Sequence, residues 1–228
     1  MSDIAKQNAA YAAAEQVIDG MRLGIGTGST AEHFIHRLGQ RVQNGLSLTG
    51  VATSERSAEL CQDLGISLTT LDETPDLDLA IDGTDEFDQS LNLIKGGGGA
   101  LLREKIVAAS AKRFVVIADV SKQVCVLGAF PLPVEIIPMA QQPILRRLSD
   151  MGVTASLRRI PDGAPFRTDE GHLIIDGHFG PSISNPADMA QRISGWPGVV
   201  EHGLFCNMAD QVILGTDEDV TFISPQTR

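Results

Sequence analysis

The sequence predicts an α/β fold: a Rossmann-like open sheet domain with a second, smaller ferredoxin-like α+β domain. Three observations lead there. Short apolar runs alternate with helix-period stretches through the first half of the 228 residues. Strand ends in that half run into Gly- or Asp-rich turns, GIGTGST at 24–30 and DGTDEFD at 82–88. Past the proline-rich FPLPVEIIP at 130–138, the pattern becomes strand–helix–strand–strand–helix–strand, the split ferredoxin-like unit.

Taken in order, Asp3 to Asp19 is expected to be helical, with Ile4, Tyr11, Ala14 and Ile18 recurring at helical spacing and Gly20 as the stop. Lys6 lies in its first turn. Leu23–Gly26 is a short strand entering the turn Gly26–Thr30, and the helix after it carries Phe34, Leu38 and Val42 on one face. Leu48–Ala52 is a second strand, Ser54 caps a helix over 55–64, and Ile66–Leu71 is a third strand. Leu77, Leu79 and Ile81 alternate toward a fourth, ending at Asp82. A helix over 100–111 precedes Phe114–Ala118, a continuous apolar run of the kind buried on both faces.

The second unit is expected to hold strands 134–137, 153–159, 172–176 and 198–205, with helices 139–151 and 186–194. Asn185–Pro186 is a good helix start, and the loop 161–171 looks solvent-facing. Strands 211–214 and 220–223 return to the first sheet. The domains are then 1–129 with 204–228, Rossmann-like and catalytic, and 130–203, a ferredoxin-like insertion.

Composition narrows the function. The net charge is −11, from 18 basic and 29 acidic residues, which repels phosphate backbones and speaks against nucleic acid. Aromatics are only 4%, too few for a base-stacking platform. No run of about 18 apolar residues and no apolar signal core occur, so a cytoplasmic protein without membrane attachment is expected. Cys61, Cys125 and Cys206 are scattered, signalling neither disulfides nor a metal site. The five histidines read as solvent-facing or core-edge residues.

Two turns carry the chemistry. A strand, a Gly-rich turn and a helix N-terminus make a phosphate cradle, with hydroxyls on Thr27, Ser29 and Thr30 beside Gly28. Ser29 stands where a dinucleotide fingerprint needs its third glycine, so a single phosphate fits better. The same turn is also consistent with a plain Ser/Thr helix cap. From Ile81 to Lys105, Asp82, Asp85, Glu86, Asp88, Lys95, Gly96–Gly99 and Glu104 lie close together. Carboxylates beside bare backbone N–H groups suit proton transfer on a small anion. A polar surface loop with a flexible glycine linker would use the same residue types. Asp82 and the Gly26–Thr30 turn both fall at strand carboxyl ends, where open α/β sheets bind ligands, and Lys122 follows another such end.

GIGTGST, DGTDEFD, IKGGGGALLREKI, ADVSK, FPLPVEIIPMA and the later PGVVEHGLF, in this order, closely resemble ribose-5-phosphate isomerase of type A. The resemblance covers nearly the whole chain. It implies interconversion of D-ribose 5-phosphate and D-ribulose 5-phosphate in the non-oxidative pentose phosphate pathway, with no metal or organic cofactor, by a homodimer or larger homo-oligomer. It implies Glu104 as catalytic base, Asp82 and Asp85 as the aspartates of the family's DGADE motif, and Lys95 as the lysine before the glycines. Thr27, Gly28, Ser29 and Thr30 match the phosphate loop. Gly83, Thr84 and Gly96–Gly98 complete the substrate-binding set with Lys122 and Lys6. Thr84 replaces the family's frequent alanine, and ATSERS at 52–57 is a further departure; both touch the pocket's shape rather than its acid–base groups.

The chemistry suits these residue types. Moving a proton from C2 to C1 passes through an enediolate. Glu104 is expected to carry that proton, and Lys95 with the N–H groups near Gly96–Gly98 to stabilise the oxyanion. Asp82 and Asp85 are expected to handle hydroxyl protons, and the phosphate grip to position the reacting carbons. Rival readings are an aminosugar-phosphate deaminase or CoA transferase on the same architecture, a non-catalytic sugar-phosphate sensor, and an acidic metal-binding loop. Ammonia release or CoA dependence, binding without turnover, and sensitivity to EDTA would mark them respectively.

Overall fold

The computed structural model describes residues 3–225. Helix α1 (Asp3–Ala14) leads into β1 (Met21–Ile25), α2 (Ser29–Gln43), β2 (Leu48–Ala52), α3 (Glu55–Asp63) and β3 (Leu79–Gly83). Two short strands follow, β4 (Glu86–Phe87) and β5 (Leu93–Ile94), then α4 (Leu101–Ala109) and β6 (Phe114–Asp119). Next come β7 (Leu132–Ile136), α5 (Gln141–Asp150), β8 (Thr154–Leu157), β9 (Leu173–His178), α6 (Pro186–Ser194) and β10 (Val199–His202). The chain closes with β11 (Leu204–Phe205), β12 (Gln211–Gly215) and β13 (Val220–Ile223).

Six strands form the main sheet in the order β13-β12-β6-β3-β1-β2. All its neighbours are parallel except the β12–β13 pair. This is the Rossmann-like open sheet. Its strand order reverses between β1 and β3, so a crevice opens above their carboxyl ends. One core packs α1 and α2 on one face, through Phe34, Ile35, Leu38 and the α1 alanines; a second packs α4 on the other, through Val107 and Ala108. Every residue of β6 is buried, as a central parallel strand requires.

The second sheet, β10-β7-β9-β8, is antiparallel throughout and packs its own core against α5 and α6. With the order β-α-β-β-α-β, this is the ferredoxin-like arrangement. Asn185 caps α6 by accepting the Asp188 N–H, with Pro186 at its first position.

Several expectations need correction. Helix α1 stops at Ala14 rather than Asp19, and Arg41 donates to the carbonyl of Ala14 at its end and to that of Val17 beyond it. Its inner face is Ala5, Ala9, Ala10, Ala13 and Ala14, whereas Ile4 and Ile18 are exposed. The small residues let α1 lie directly on β12, where a Cβ at Gly215 would come 2.0 Å from the Ala5 carbonyl oxygen. No strand forms over 66–71: Leu68 makes one bridge to Gly50, then Thr69 bonds Glu73 and the chain turns. The expected strand 198–205 is two, because β10 and β11 belong to different sheets. A third small sheet, β11-β5-β4, went unforeseen because two-residue strands carry no periodicity. His202, expected at the surface or core edge, is buried against Ser194. The inner part of the loop 161–171 is not solvent-facing: Thr168 is buried, and Phe166 packs on Gly99.

Candidate active site

The stretch 81–105 folds as a strand end, a two-rung hairpin, a glycine loop and a helix. The Asp88 carboxylate ties the hairpin turn by accepting the N–H groups of Ser90 (2.8 Å) and Asn92 (2.9 Å). Glu86 then pairs with Ile94, and the Asp85 N–H donates to the Ile94 carbonyl at 2.9 Å. Asp85 and Lys95 thereby become neighbours at the hairpin mouth. Glu86 is buried and accepts the N–H groups of Gly128 and Phe130, so it anchors the 128–130 turn and has no place in the cavity.

Three charges meet underneath. Lys95 is 2% exposed, Asp82 3% and Glu104 5%. The Lys95 ammonium lies 3.0 Å from Asp82 Oδ2 and 3.4 Å from Glu104 Oε1, and donates to the Gly83 carbonyl at 2.6 Å. Its stem passes the Phe205 ring, with Nζ 5.5 Å from the centroid. Asp82 Oδ1 accepts the N–H groups of Thr27 (2.9 Å) and Gly83 (2.7 Å), holding the first turn against the end of β3. Only glycine fits at 26, since a Cβ there would come 2.1 Å from Asp82 Oδ1. Asp82 Oδ2 and Glu104 Oε2 accept no hydrogen bond; the Lys95 approach to Asp82 Oδ2 is close but poorly aligned.

A cavity of about 110 Å³ opens above this cluster. Thr27, Gly28, Ser29 and Thr30 line it from the β1–α2 turn, Gly83, Thr84 and Asp85 from the end of β3, and Lys95 and Gly96–Gly98 from the glycine loop. Glu104, Lys6 and Lys122 complete the wall. Lys6 reaches it from α1 by donating to Ser29 Oγ at 2.9 Å. Asp82 is absent from the wall, since it lies behind Lys95 and the Thr27 amide. The N–H groups of the first turn of α2 have no partner within the helix, leaving an anion-binding end. The Gly97 N–H is already taken by Asp85 Oδ2 at 2.7 Å.

The environment moves the protons. Burial pushes the Glu104 carboxyl up to about 8; Lys95 pulls the other way, and Asp82 and Asp85 add to the rise. Burial likewise raises the Asp82 carboxyl against the pull of Lys95 and two backbone N–H groups. For Lys95 burial favours the neutral amine, but Asp82 and Glu104 outweigh it and hold the ammonium charged. One fixed cation thus faces two buried carboxyls, and a proton stays in the cluster well above the usual carboxylate range.

The model of the family described as ribose 5-phosphate isomerase A (phosphoriboisomerase A) matches residues 49–219. This chain belongs to that family. It is 50% identical over 228 residues to the ribose-5-phosphate isomerase A of Parvibaculum lavamentivorans, covering 97% of this chain and 98% of the relative. It is 53% identical over 222 residues to that of a Synechococcus strain, covering 96% of each. Among solved structures, ribose 5-phosphate isomerase A from Methanocaldococcus jannaschii superposes with a TM-score of 0.91 at 43% identity, over 96% of this chain and 97% of that one. A D-ribose-5-phosphate isomerase in complex with phospho-erythronic acid superposes with a TM-score of 0.93 at 40% identity, over 96% and 97%.

Two features of the site escaped sequence reasoning. The Thr27 hydroxyl faces away from the helix N–H groups into a cluster with Thr53 (2.7 Å), Ser54 (2.8 Å) and Ser57 (3.1 Å), and Ser57 donates to the Gly26 carbonyl at 2.8 Å. Thr27 therefore braces the β1–α2 turn, and Ser54 serves this cluster as well as capping α3. The signal was positional: Thr53 follows the carboxyl end of β2, beside the switch point. The second is Arg158, whose guanidinium holds the glycine loop from the ferredoxin-like side; an arginine 62 positions away carries no local sign of this.

Proposed function

We propose that this chain interconverts D-ribose 5-phosphate and D-ribulose 5-phosphate through an enediolate, with Glu104 as the base. The observation that carries the reading is Glu104 itself. It is a nearly inaccessible carboxyl with one oxygen unpartnered and a lysine at its other, on the wall that also holds an anion-binding helix end. Glu104 takes the C2 proton of the open-chain aldose and returns it to C1. A carboxyl raised to about 8 keeps a minor ionised fraction at neutral pH while being far more basic than an exposed one. Lys95 and the Gly98 N–H stabilise the oxygen charge that develops. Ser29, Thr30, Lys6 and Lys122 hold the phosphate, and Gly28, Gly83, Thr84 and Gly96 shape the sugar's path between. Asp85 meets the sugar hydroxyls directly, while Asp82 acts through Lys95 and the Thr27 amide. An aldonic acid phosphate, like the ligand of the relative, pairs a phosphate with a carboxylate, the same two charges assigned here to the tail and the enediolate.

The chain itself supplies every acid, base and cation in this scheme, so turnover with saturating EDTA present is the expected result. The decisive variant is Glu104→Gln, which keeps shape and removes the base. Isomerase activity within about tenfold of the parent, well short of the usual 10²–10⁴ of a general base, would refute the assignment.

The same proposal places the enzyme in the cytoplasm as a homodimer. In support, Met139 is 88% exposed beside a partly exposed Ile137, an apolar pair suited to a second copy. The three cysteines are unpaired, and no described helix is long and apolar enough to cross a membrane. Residues 1–129 with 204–228 are assigned to the catalytic domain and 130–203 to the insertion, since β12 pairs with β6, and β13 with β12, after the second sheet is complete. Sedimentation showing a monomer at micromolar concentration would overturn the dimer.

A further inference from the structure

We propose that Arg158 is a positioning residue for the isomerisation, a latch that fixes which way the peptides of the glycine loop face. This rests on the reading that the loop's N–H side meets the enediolate. Arg158 follows β8 directly, and its backbone is held on both sides: its N–H donates to the Ile174 carbonyl at 2.8 Å and its carbonyl accepts the Phe166 N–H at 2.9 Å. The guanidinium is aimed by Asp176, with Nε 2.9 Å from Oδ2 and Nη2 2.5 Å from Oδ1. The remaining nitrogen, Nη1, donates to the carbonyls of Gly96 (2.8 Å) and Gly97 (3.1 Å). Phe166 lies 5.8 Å from the guanidinium and packs so tightly on Gly99 that a Cβ there would come 2.4 Å from its ring.

Peptide geometry supplies the consequence. In a trans peptide the C=O and the following N–H point in opposite directions. A Gly96 carbonyl turned to Arg158 sends the Gly97 N–H the other way, and it does bond Asp85 on the cavity wall. A Gly97 carbonyl turned to Arg158 likewise sends the Gly98 N–H to that side. Consecutive glycines offer little resistance to a peptide flip. A flipped Gly97–Gly98 peptide would turn a carbonyl oxygen toward the developing negative charge and withdraw a donor. The latch thus acts on the transition state, while the phosphate grip, at the β1–α2 turn, is left alone.

The test is steady-state kinetics on the full chain with Arg158→Met, Arg158→Lys and Asp176→Asn, alongside Glu104→Gln. Arg158→Met is expected to lower kcat by about 10²-fold, the usual scale for one oxyanion donor, with KM changed less than about threefold, the signature of an interaction made only in the transition state. Arg158→Lys, which keeps the charge but loses the planar fork that Asp176 holds bidentately, should fall between it and the parent. Millimolar guanidinium should partly restore the Met variant. Should Arg158→Met not fold, Asp176→Asn decides between latch and simple packing, with a loss in kcat of about three- to tenfold expected from a loosened guanidinium. Folded variants with kcat within about twofold of the parent, and only a lower melting temperature, would overturn the latch. That result beside an inactive Glu104→Gln leaves the site reading standing, whereas an active Glu104→Gln would remove the reading on which the latch depends.

Discussion

Helix α4 carries a buried and a partly buried ionic cluster on adjacent residues, and they are built on opposite rules. On one side Glu104 meets Lys95 and Asp82, and two carboxylate oxygens accept no hydrogen bond. On the other, Lys105 donates to Glu201 Oε1 and to the His202 carbonyl, both at 2.7 Å, with its ammonium 4.7 Å from the Phe205 ring. There burial lowers the Lys105 pKa against the pull of Glu201. Burial also drives His202 down to about 4, with the Lys105 charge adding to it, so the imidazole is neutral and shares hydrogen bonds with Ser194 and the Leu204 N–H. The Lys105 cluster has its polar groups satisfied and joins α4 to β10. The Glu104 cluster leaves lone pairs unsatisfied beneath a cavity, a destabilising arrangement of the kind that marks a candidate functional site.

Exchanging single groups is the sharpest way to break this contrast. Glu104→Gln should lower kcat by about 10²–10⁴. Lys105→Met, one residue on, should leave kcat of the folded enzyme within a few-fold and appear instead as about 1.5–3 kcal/mol of lost stability in denaturant melts, the usual range for hydrogen bonds to a charged group. A catalytic loss at Lys105 equal to that at Glu104 would erase the distinction. Lys95→Met should do both. It removes an electrostatic donor, for a loss in kcat of about 10²–10³, and leaves carboxyls buried without their cation, for about 3–5 kcal/mol of stability. That instability should shrink at pH 5, where the carboxyls can take up protons.

The pH profile sharpens the comparison further. The acid limb of kcat/KM should follow loss of the Glu104 proton, near about 8 rather than the ordinary 4.5. For stability the sign runs the opposite way to that of a salt-bridged carboxylate. Between about pH 4.5 and 8 the unfolded chain has released this proton and the folded one keeps it. Folding stability from this group therefore declines as pH rises through that window. Urea melts should show the decline in the parent and a flatter curve in Glu104→Gln; identical slopes would place the raised group elsewhere. The smallest effect belongs to the far end of the cavity. Lys122→Ala should raise KM by about tenfold, or about 1.4 kcal/mol, and added salt should narrow the gap because the contact is solvent-accessible.

The same division explains what could be read in advance. The β1–α2 turn, the end of β3 and the glycine loop stood out by residue type, and of their residues Thr27–Thr30, Gly83–Asp85 and Lys95–Gly98 line one cavity while Asp82 does not. Helix α6 starts and stops where its Asn–Pro cap and helical spacing put it. The buried face of α1 was misread because apolar size suggested Ile4 and Ile18, whereas close approach to α2 and β12 selects alanine. Asp82 and Asp85 looked equivalent on paper; one lies behind the ammonium and the other on the wall.

Fold class, the long strands and helices of both sheets, the Ser54 and Asn185 caps and the two glycine-bearing turns follow from the order of residues alone. Periodicity, glycine and capping chemistry act within one segment and need no knowledge of its neighbours. Which carboxylate oxygen lacks a donor, where the Thr27 hydroxyl turns and what holds the Gly96 and Gly97 carbonyls became definite only once the segments had packed. Each depends on groups from distant parts of the chain competing for the same few lone pairs, and that competition is settled by three-dimensional proximity.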